Sequence, residues 1–158
     1  MYMNRSESGE AAGDLFDDWV QLASFVASVD TSLGKWLTDH HRLVLTEYRA
    51  LRQLDSMPDK ELRINDLAHR IGLNQSSVTR LLVRLETRGL TRRDTCSEDG
   101  RGVYAVITAE GEALVAQARE PFRNHLDRTL QRLHELYPAL DALPIGRALA
   151  DLDSPDDT

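Results

Sequence analysis

The chain has 158 residues, 41% of them hydrophobic and 28% charged, and carries a net charge of −7, a composition that suits an ordinary globular protein with a single core. No apolar run approaches the roughly 20 residues needed to cross a bilayer, and residues 1–13 are polar, without the apolar centre of a secretory signal. The single cysteine, Cys96, excludes an intramolecular disulfide framework and points to a reducing, cytoplasmic setting.

Residues 1–12 read as a disordered tail. Leu15, Trp19, Leu22, Val26, Val29, Leu33 and Trp36 then recur at alternating intervals of four and three. That spacing predicts one long helix over about 14–37, with an apolar stripe long enough to pack on another long helix. A second helix is expected over 47–54, turning Tyr48, Leu51 and Leu54 inward, before Met57-Pro58-Asp59-Lys60 breaks the pattern. Two short helices follow. Asn65 is the expected cap of the first, which buries Leu67, Ala68 and Ile71 and stops at Gly72. Asn74 is the expected cap of the second, over 75–88, which buries Val78, Leu81, Leu82 and Leu85 and ends at Gly89. Helix, short glycine-containing turn, helix is the spacing of a helix-turn-helix.

After Gly89 the period changes. Residues 90–96 and 103–108 read as two strands around a polar, glycine-bearing turn, so a hairpin follows the second helix as a wing. Thr108 then opens a long helix with Leu114, Ala118, Phe122, Leu126, Leu130 and Leu133 on its apolar face. Pro121 is expected to kink that helix or shift its start. A last helix is expected over 139–152, with Pro144 in its first turn, and residues 154–158 read as disordered. The fold class is therefore mainly α with a small β-hairpin wing.

The charge is unevenly spread. Residues 1–61 carry 6 Lys/Arg against 11 Asp/Glu and residues 103–158 carry 5 against 10, but residues 62–102 carry 8, all arginine, against 5. An arginine-rich middle between acidic flanks is the layout of a local polyanion-binding surface. With four apolar residues turned to the core, the second short helix presents Gln75, Ser76, Thr79 and Arg80 near its N-terminus, the end that reads base edges in a major groove. Gln pairs with adenine and Arg with guanine, while Ser77 and Arg84 are placed to meet phosphates. At the wing, Arg101 is flanked by glycines and suits a minor groove, with Asp99 orienting its guanidinium rather than facing phosphate. Arg92 and Arg93, at the base of the hairpin, are candidates for phosphate contacts or for an ion pair with Asp94.

These residues resemble the multiple antibiotic resistance regulator (MarR) family of bacterial winged-helix proteins. The resemblance spans 62–111 and is carried by Val78-Thr79-Arg80, Leu85-Glu86, Arg88-Gly89-Leu90, Asp99-Gly100-Arg101, Ile107-Thr108 and Gly111. It implies a homodimer whose terminal helices interlock, with two winged lobes reading a palindromic site on double-stranded DNA. On that layout, 13–56 holds dimerisation and support helices, 57–108 the winged helix-turn-helix, and 109–153 the C-terminal dimerisation helices, all within one intertwined domain. A single helix reads few base pairs, so two half-sites are also expected on energetic grounds.

Many members of the family release DNA on binding a small aromatic or anionic effector. Trp36, His40, His41, Tyr48 and Arg49 are the candidate effector pocket. Adjacent His40 and His41 diverge by about 100° on a helix and form a poor metal pair, so no metal or cofactor is expected. Cys96 is expected to be an inert strand residue, since Asp94, Glu98 and Asp99 oppose the thiolate that Arg92 and Arg93 would favour. No phosphate-cradling loop, nucleophile elbow or metal-ligand cluster points to an enzyme. The remaining alternative is a winged-helix module that contacts protein rather than specific DNA.

Overall fold

The computed structural model describes residues 15–95 and 102–137. The elements in order are α1 (Leu15–His41), α2 (Leu45–Ser56), β1 (Glu61–Arg63), α3 (Ile64–Ile71), α4 (Gln75–Thr87), β2 (Thr91–Thr95), β3 (Val103–Ile107) and α5 (Ala109–Leu136). The fold is mainly α with a small antiparallel sheet, as expected. The expected helix over 139–152, both tails and the wing tip with Cys96, Asp99 and Arg101 lie outside the described residues.

The sheet has three strands rather than two, in the order β1-β3-β2. The additional strand, β1, pairs Leu62 with Ala105 and Arg63 with Tyr104. Three residues are too few to show a period of two, which is why the pattern conceals it. The hairpin pairs Thr91 with Ile107 and Thr95 with Val103. Its root is buried at Thr91, Val106 and Ile107, whereas Arg92 to Thr95 and Val103 are exposed. The hairpin is thus anchored at one end and projects at the other.

Because β1 runs straight into α3, the residue before the first turn is Arg63, with no side-chain cap, and Asn65 lies inside the helix. The expected cap at Asn65 is corrected for that reason: the strand's pairing to Tyr104 already fixes the backbone entering the helix. Gly72 ends α3 in the left-handed conformation at φ 69°, where a residue without Cβ is favoured.

One core joins the helix-turn-helix to the sheet and α2. It includes Leu37, Tyr48, Leu51, Leu54, Leu67, Val78, Leu81, Leu82, Leu85, Ala105, Ile107 and Val115. Full burial of one such side chain stabilises by about 1.5–3 kcal/mol, so α4 is held firmly by the four apolar residues of its inner face.

A second cluster joins α1 to α5 through Phe25, Val29 and Leu33, packed against Leu126, Leu130 and Leu133. This corrects the expected stripe on α1. Trp19 is 61% and Val26 48% exposed, while Phe25 and Leu37 are buried in their place. A heptad pattern drifts about 20° per repeat around a straight helix, so α5 covers one flank of the stripe and leaves the other open. The same interface carries polar groups: Ser32 Oγ lies 3.1 Å from both His125 Nε2 and Thr129 Oγ1.

Thr108 caps α5, accepting a hydrogen bond from the Gly111 N–H. The helix starts at Ala109 and continues through Pro121 to Leu136, so the proline does not shift its start. Pro121 and Gln117, whose carbonyl loses its usual donor, are both exposed, and water can satisfy that carbonyl.

Candidate nucleic-acid interface

Asn74 is extended, at φ −77° and ψ 161°, and its Oδ1 accepts from the Ser77 N–H at 2.8 Å and from Ser76 Oγ at 2.8 Å. This cap starts α4 immediately after a turn of Gly72 and Leu73. The cap also orients the first turn, leaving Gln75 and Ser76 exposed and Ser77 half-buried. Thr79 Oγ1 donates to the Gln75 carbonyl at 2.9 Å, which fixes its rotamer on the same side of the helix. Among the described residues Arg80 makes one long contact, from Nε to the Ser76 carbonyl at 3.4 Å. Gln75, Ser76, Thr79 and Arg80 therefore share the N-terminal face opposite Val78, Leu81, Leu82 and Leu85, which are at most 1% exposed.

The other arginines of this region are engaged within the protein. Arg84 Nε donates to Glu47 Oε1 at 2.8 Å, and the Glu47 carboxylate is almost wholly buried. The opposite oxygen, Glu47 Oε2, accepts from the Val44 N–H at 3.1 Å, closing the first turn of α2. Arg92 pairs with Asp94 at 2.8 Å, and the guanidinium holds the Asp94 carboxyl below its ordinary range. Arg93 does not pair with Asp94; it clasps Glu86 of α4 with two bonds, Nε to Oε1 at 2.8 Å and Nη2 to Oε2 at 2.9 Å. The hydrogen bonds to Glu86 raise the Arg93 pKa further. This planar fork locks the hairpin to the C-terminal half of α4.

Arg88 was legible only as part of the family-like run Arg88-Gly89-Leu90. Its guanidinium reaches the end of α1, where Nη1 donates to the Arg42 carbonyl at 2.8 Å and Nη2 to the His41 carbonyl at 2.9 Å. Nothing in the local sequence signals this, because the partners are separated by 46 and 47 positions.

The candidate effector residues divide between two places. Tyr48 and Arg49 line a cleft of about 210 Å³ together with Leu33, Leu45, Arg52, Gln53 and Phe122. Arg49 also pairs with Asp30 at 2.9 Å. A wider groove of about 530 Å³ adjoins it, sharing Arg49 and Gln53 and adding His69 and Arg70. Trp36, His40 and His41 instead gather in an aromatic cluster: the Trp36 ring stacks on His40 at 4.5 Å and on His125 at 5.7 Å, and meets His41 at 5.4 Å. Phe122 touches both groups, at 5.9 Å from Trp36 and 4.6 Å from Tyr48. Burial, with the charges of His40 and Arg88, lowers the His41 pKa below 6.5. Sequence reading missed Arg52, Gln53 and Phe122 as cleft residues, since the three approach only once α2 packs on α5. Among the described residues no group of His, Cys, Asp or Glu is arranged to hold a metal, and no helix is long and apolar enough to cross a membrane.

The MarR family model matches residues 43–103. The chain is similar in structure to Sco3205, a MarR family transcriptional regulator from Streptomyces coelicolor solved in complex with DNA. The TM-score is 0.71 at 22% identity, covering 90% of this chain and 89% of that one. AbsC, another MarR family regulator from the same organism, matches with a TM-score of 0.69 at 23% identity, covering 96% of this chain and 99% of that one. The Mycobacterium tuberculosis MarR family protein Rv2887, solved with p-aminosalicylic acid, matches with a TM-score of 0.60 at 26% identity, covering 86% and 98% respectively. The resemblance read from the sequence is thus shown in the central segment and in the fold, and the family is one of transcriptional regulators rather than enzymes.

Proposed function

We propose, from this MarR-type fold and central segment, that the chain regulates transcription by binding a palindromic operator as a homodimer, with α4 in the major groove and the wing in the minor groove. The observation that carries the reading is the Asn74-capped start of α4. It turns Gln75, Ser76, Thr79 and Arg80 outward on one face while four apolar residues fix the other. Gln75 and Arg80 supply the bidentate groups that distinguish adenine and guanine. Ser77 supplies a phosphate contact, and Arg84, half-exposed beside Glu47, supplies another through its remaining donors. The same reading assigns Arg101 to the minor groove, with Asp99 to orient it, and Arg92 and Arg93 to contacts with the phosphate backbone.

The dimer reading is supported by the open flank of α1. Trp19 is 61% exposed, and Val20 and Val26 extend the same strip. Large apolar side chains in a continuous row are costly to leave in water and mark an interface. A cytoplasmic repressor that releases DNA on binding a small aromatic or anionic ligand fits the cleft at Tyr48, Arg49, Arg52 and Phe122, which combines an apolar wall with two guanidinium groups. The Rv2887 complex with an aromatic acid supports the same ligand class.

Selection of bound sequences from a random duplex pool tests palindromy and spacing together. Arg80→Ala is expected to weaken the selected site by about 1–3 kcal/mol and relax one base position. Wild-type binding that is flat between about 50 and 200 mM salt would favour protein contact over DNA, because neutralising ~6–10 phosphates costs roughly 10³–10⁵ in affinity over that range.

A further inference from the structure

Two arginines one turn apart, Arg84 on α4 and Arg88 at its C-cap, reach away from its base-reading end. Arg84 joins α4 to the first turn of α2 through Glu47, and Arg88 joins it to the carbonyls of His41, the last residue of α1, and of Arg42, which follows it. Both anchors grip the same corner, residues 41–47, where α1 ends and α2 begins. Arg42 sits in that corner at φ 55°, a left-handed conformation unfavourable for a residue with a Cβ. The end of α1 presents unpaired carbonyls and the negative pole of a 27-residue helix, so a cation that donates two bonds there satisfies both.

We propose that Arg88 is a positioning residue for DNA recognition: its fork sets the angle of α4 relative to α1 and makes no contact with DNA. The proposal rests on the DNA-binding reading above. Its physical basis is leverage. At a rise of 1.5 Å per residue, α4 is about 20 Å long, so a rotation of roughly 3° about its C-terminal end moves Gln75 by about 1 Å. Hydrogen bonds to base edges tolerate only a few tenths of an ångström around their optimum. Core packing of Val78 to Leu85 fixes the depth of α4, but the far end needs a directional tie to fix its angle. Because α1 packs along α5, the Arg88 fork connects the reading helix to the long-helix body directly, without passing through the sheet.

The test uses the full chain, a duplex selected by the wild-type protein from a random pool, and a scrambled duplex of equal length and composition. Affinities of wild type, Arg88→Gln and Arg88→Lys are measured from about 50 to 200 mM salt, with circular dichroism to monitor folding. Arg88→Gln is expected to lose about tenfold or more on the selected duplex, the scale of one mismatched base pair. Its affinity for the scrambled duplex and its salt slope should remain those of wild type. Arg88→Lys keeps the charge but cannot fork, so it should stay impaired on the selected duplex alone. A salt slope shallower by about 0.9, with both duplexes weakened together, would identify a phosphate contact and overturn the proposal. Wild-type affinity in Arg88→Lys would overturn it too, since charge alone would then suffice. If Arg88→Gln does not fold, Arg88→Lys decides the matter alone: a loss confined to the selected duplex supports the proposal, and wild-type affinity overturns it. A wild-type protein that selects no duplex refutes the DNA reading itself, whereas wild-type selection with an unimpaired Arg88→Gln refutes only the fork.

Discussion

Gly34 in α1 and Gly111 in α5 are both helical, and adding the same methyl group should shift stability in opposite directions at the two positions. A Cβ at Gly111 would overlap the Leu90 carbonyl oxygen and lie 2.6 Å from Ile107 Cγ1. That carbonyl cannot withdraw freely, because it accepts from the Thr108 N–H at 3.1 Å. Thr108 is itself fixed, donating through Oγ1 to the Gly89 carbonyl at 2.6 Å while capping α5. Alanine gains about 0.5–1 kcal/mol over glycine inside a helix, but forcing a methyl into a closed contact costs about 1–3 kcal/mol. Gly111→Ala should therefore destabilise by up to about 2.5 kcal/mol, the overpacking cost less the propensity gain. At Gly34 nothing among the described residues lies within 4 Å of the position a methyl would take, so Gly34→Ala should stabilise by about 0.5–1 kcal/mol. Urea unfolding at one fixed protein concentration reads both, since the proposed dimerisation would make midpoints concentration-dependent. A Gly111→Ala midpoint at or above wild type, with an unchanged slope, would refute the close approach of α5 to the root of the hairpin.

Four further outcomes are expected. Asn74→Ala removes the acceptor for the Ser77 N–H and should cost about 1 kcal/mol by urea unfolding, with Asn74→Asp close to wild type. A double-mutant cycle on Glu47 and Arg84 should give a coupling of about 1–3 kcal/mol, above an exposed pair because Glu47 is buried, and a value near zero would contradict the observed pairing. Arg93→Ala should lower stability by at most about 1 kcal/mol, and Glu86→Gln should reproduce that loss, because the two side chains form one fork. For His41 the folded protein binds a proton more weakly than the unfolded chain, whose value is near 6.5. Its contribution to stability is therefore complete above that pH and declines as pH falls toward the lowered folded value. Replacing His41 by Gln should flatten the decline in urea midpoint over that window; an identical pH profile in the variant would exclude His41 as its source.

The exposed face of α4 proposed to read bases was legible because helix periodicity and caps are local. Once Val78, Leu81, Leu82 and Leu85 are turned inward, the exposure of Gln75, Ser76 and Arg80 follows from 3.6 residues per turn alone. The cap at Thr108 and the hairpin were legible for the same reason. The stripe on α1 was legible as a stripe, but which flank is covered was not. Trp19 and Phe25 are both large and apolar, and only the position of α5 selects Phe25. The strand β1 escaped notice because its existence depends on pairing with β3 rather than on any pattern within Glu61–Arg63.

The sequence by itself determined the order of the described helices, the inner faces of α2, α3 and α4 and the helix-turn-helix, since each of these depends on contacts within a few residues along the chain. Tertiary structure alone decided what the arginines hold. Arg84, Arg88 and Arg93 have similar surroundings in the sequence, yet one meets a buried carboxylate, one the end of a distant helix, and one a glutamate across the hairpin root. A guanidinium on a long flexible stem can satisfy its donors in many directions, so its partner is fixed only when the backbone of another element is brought within reach.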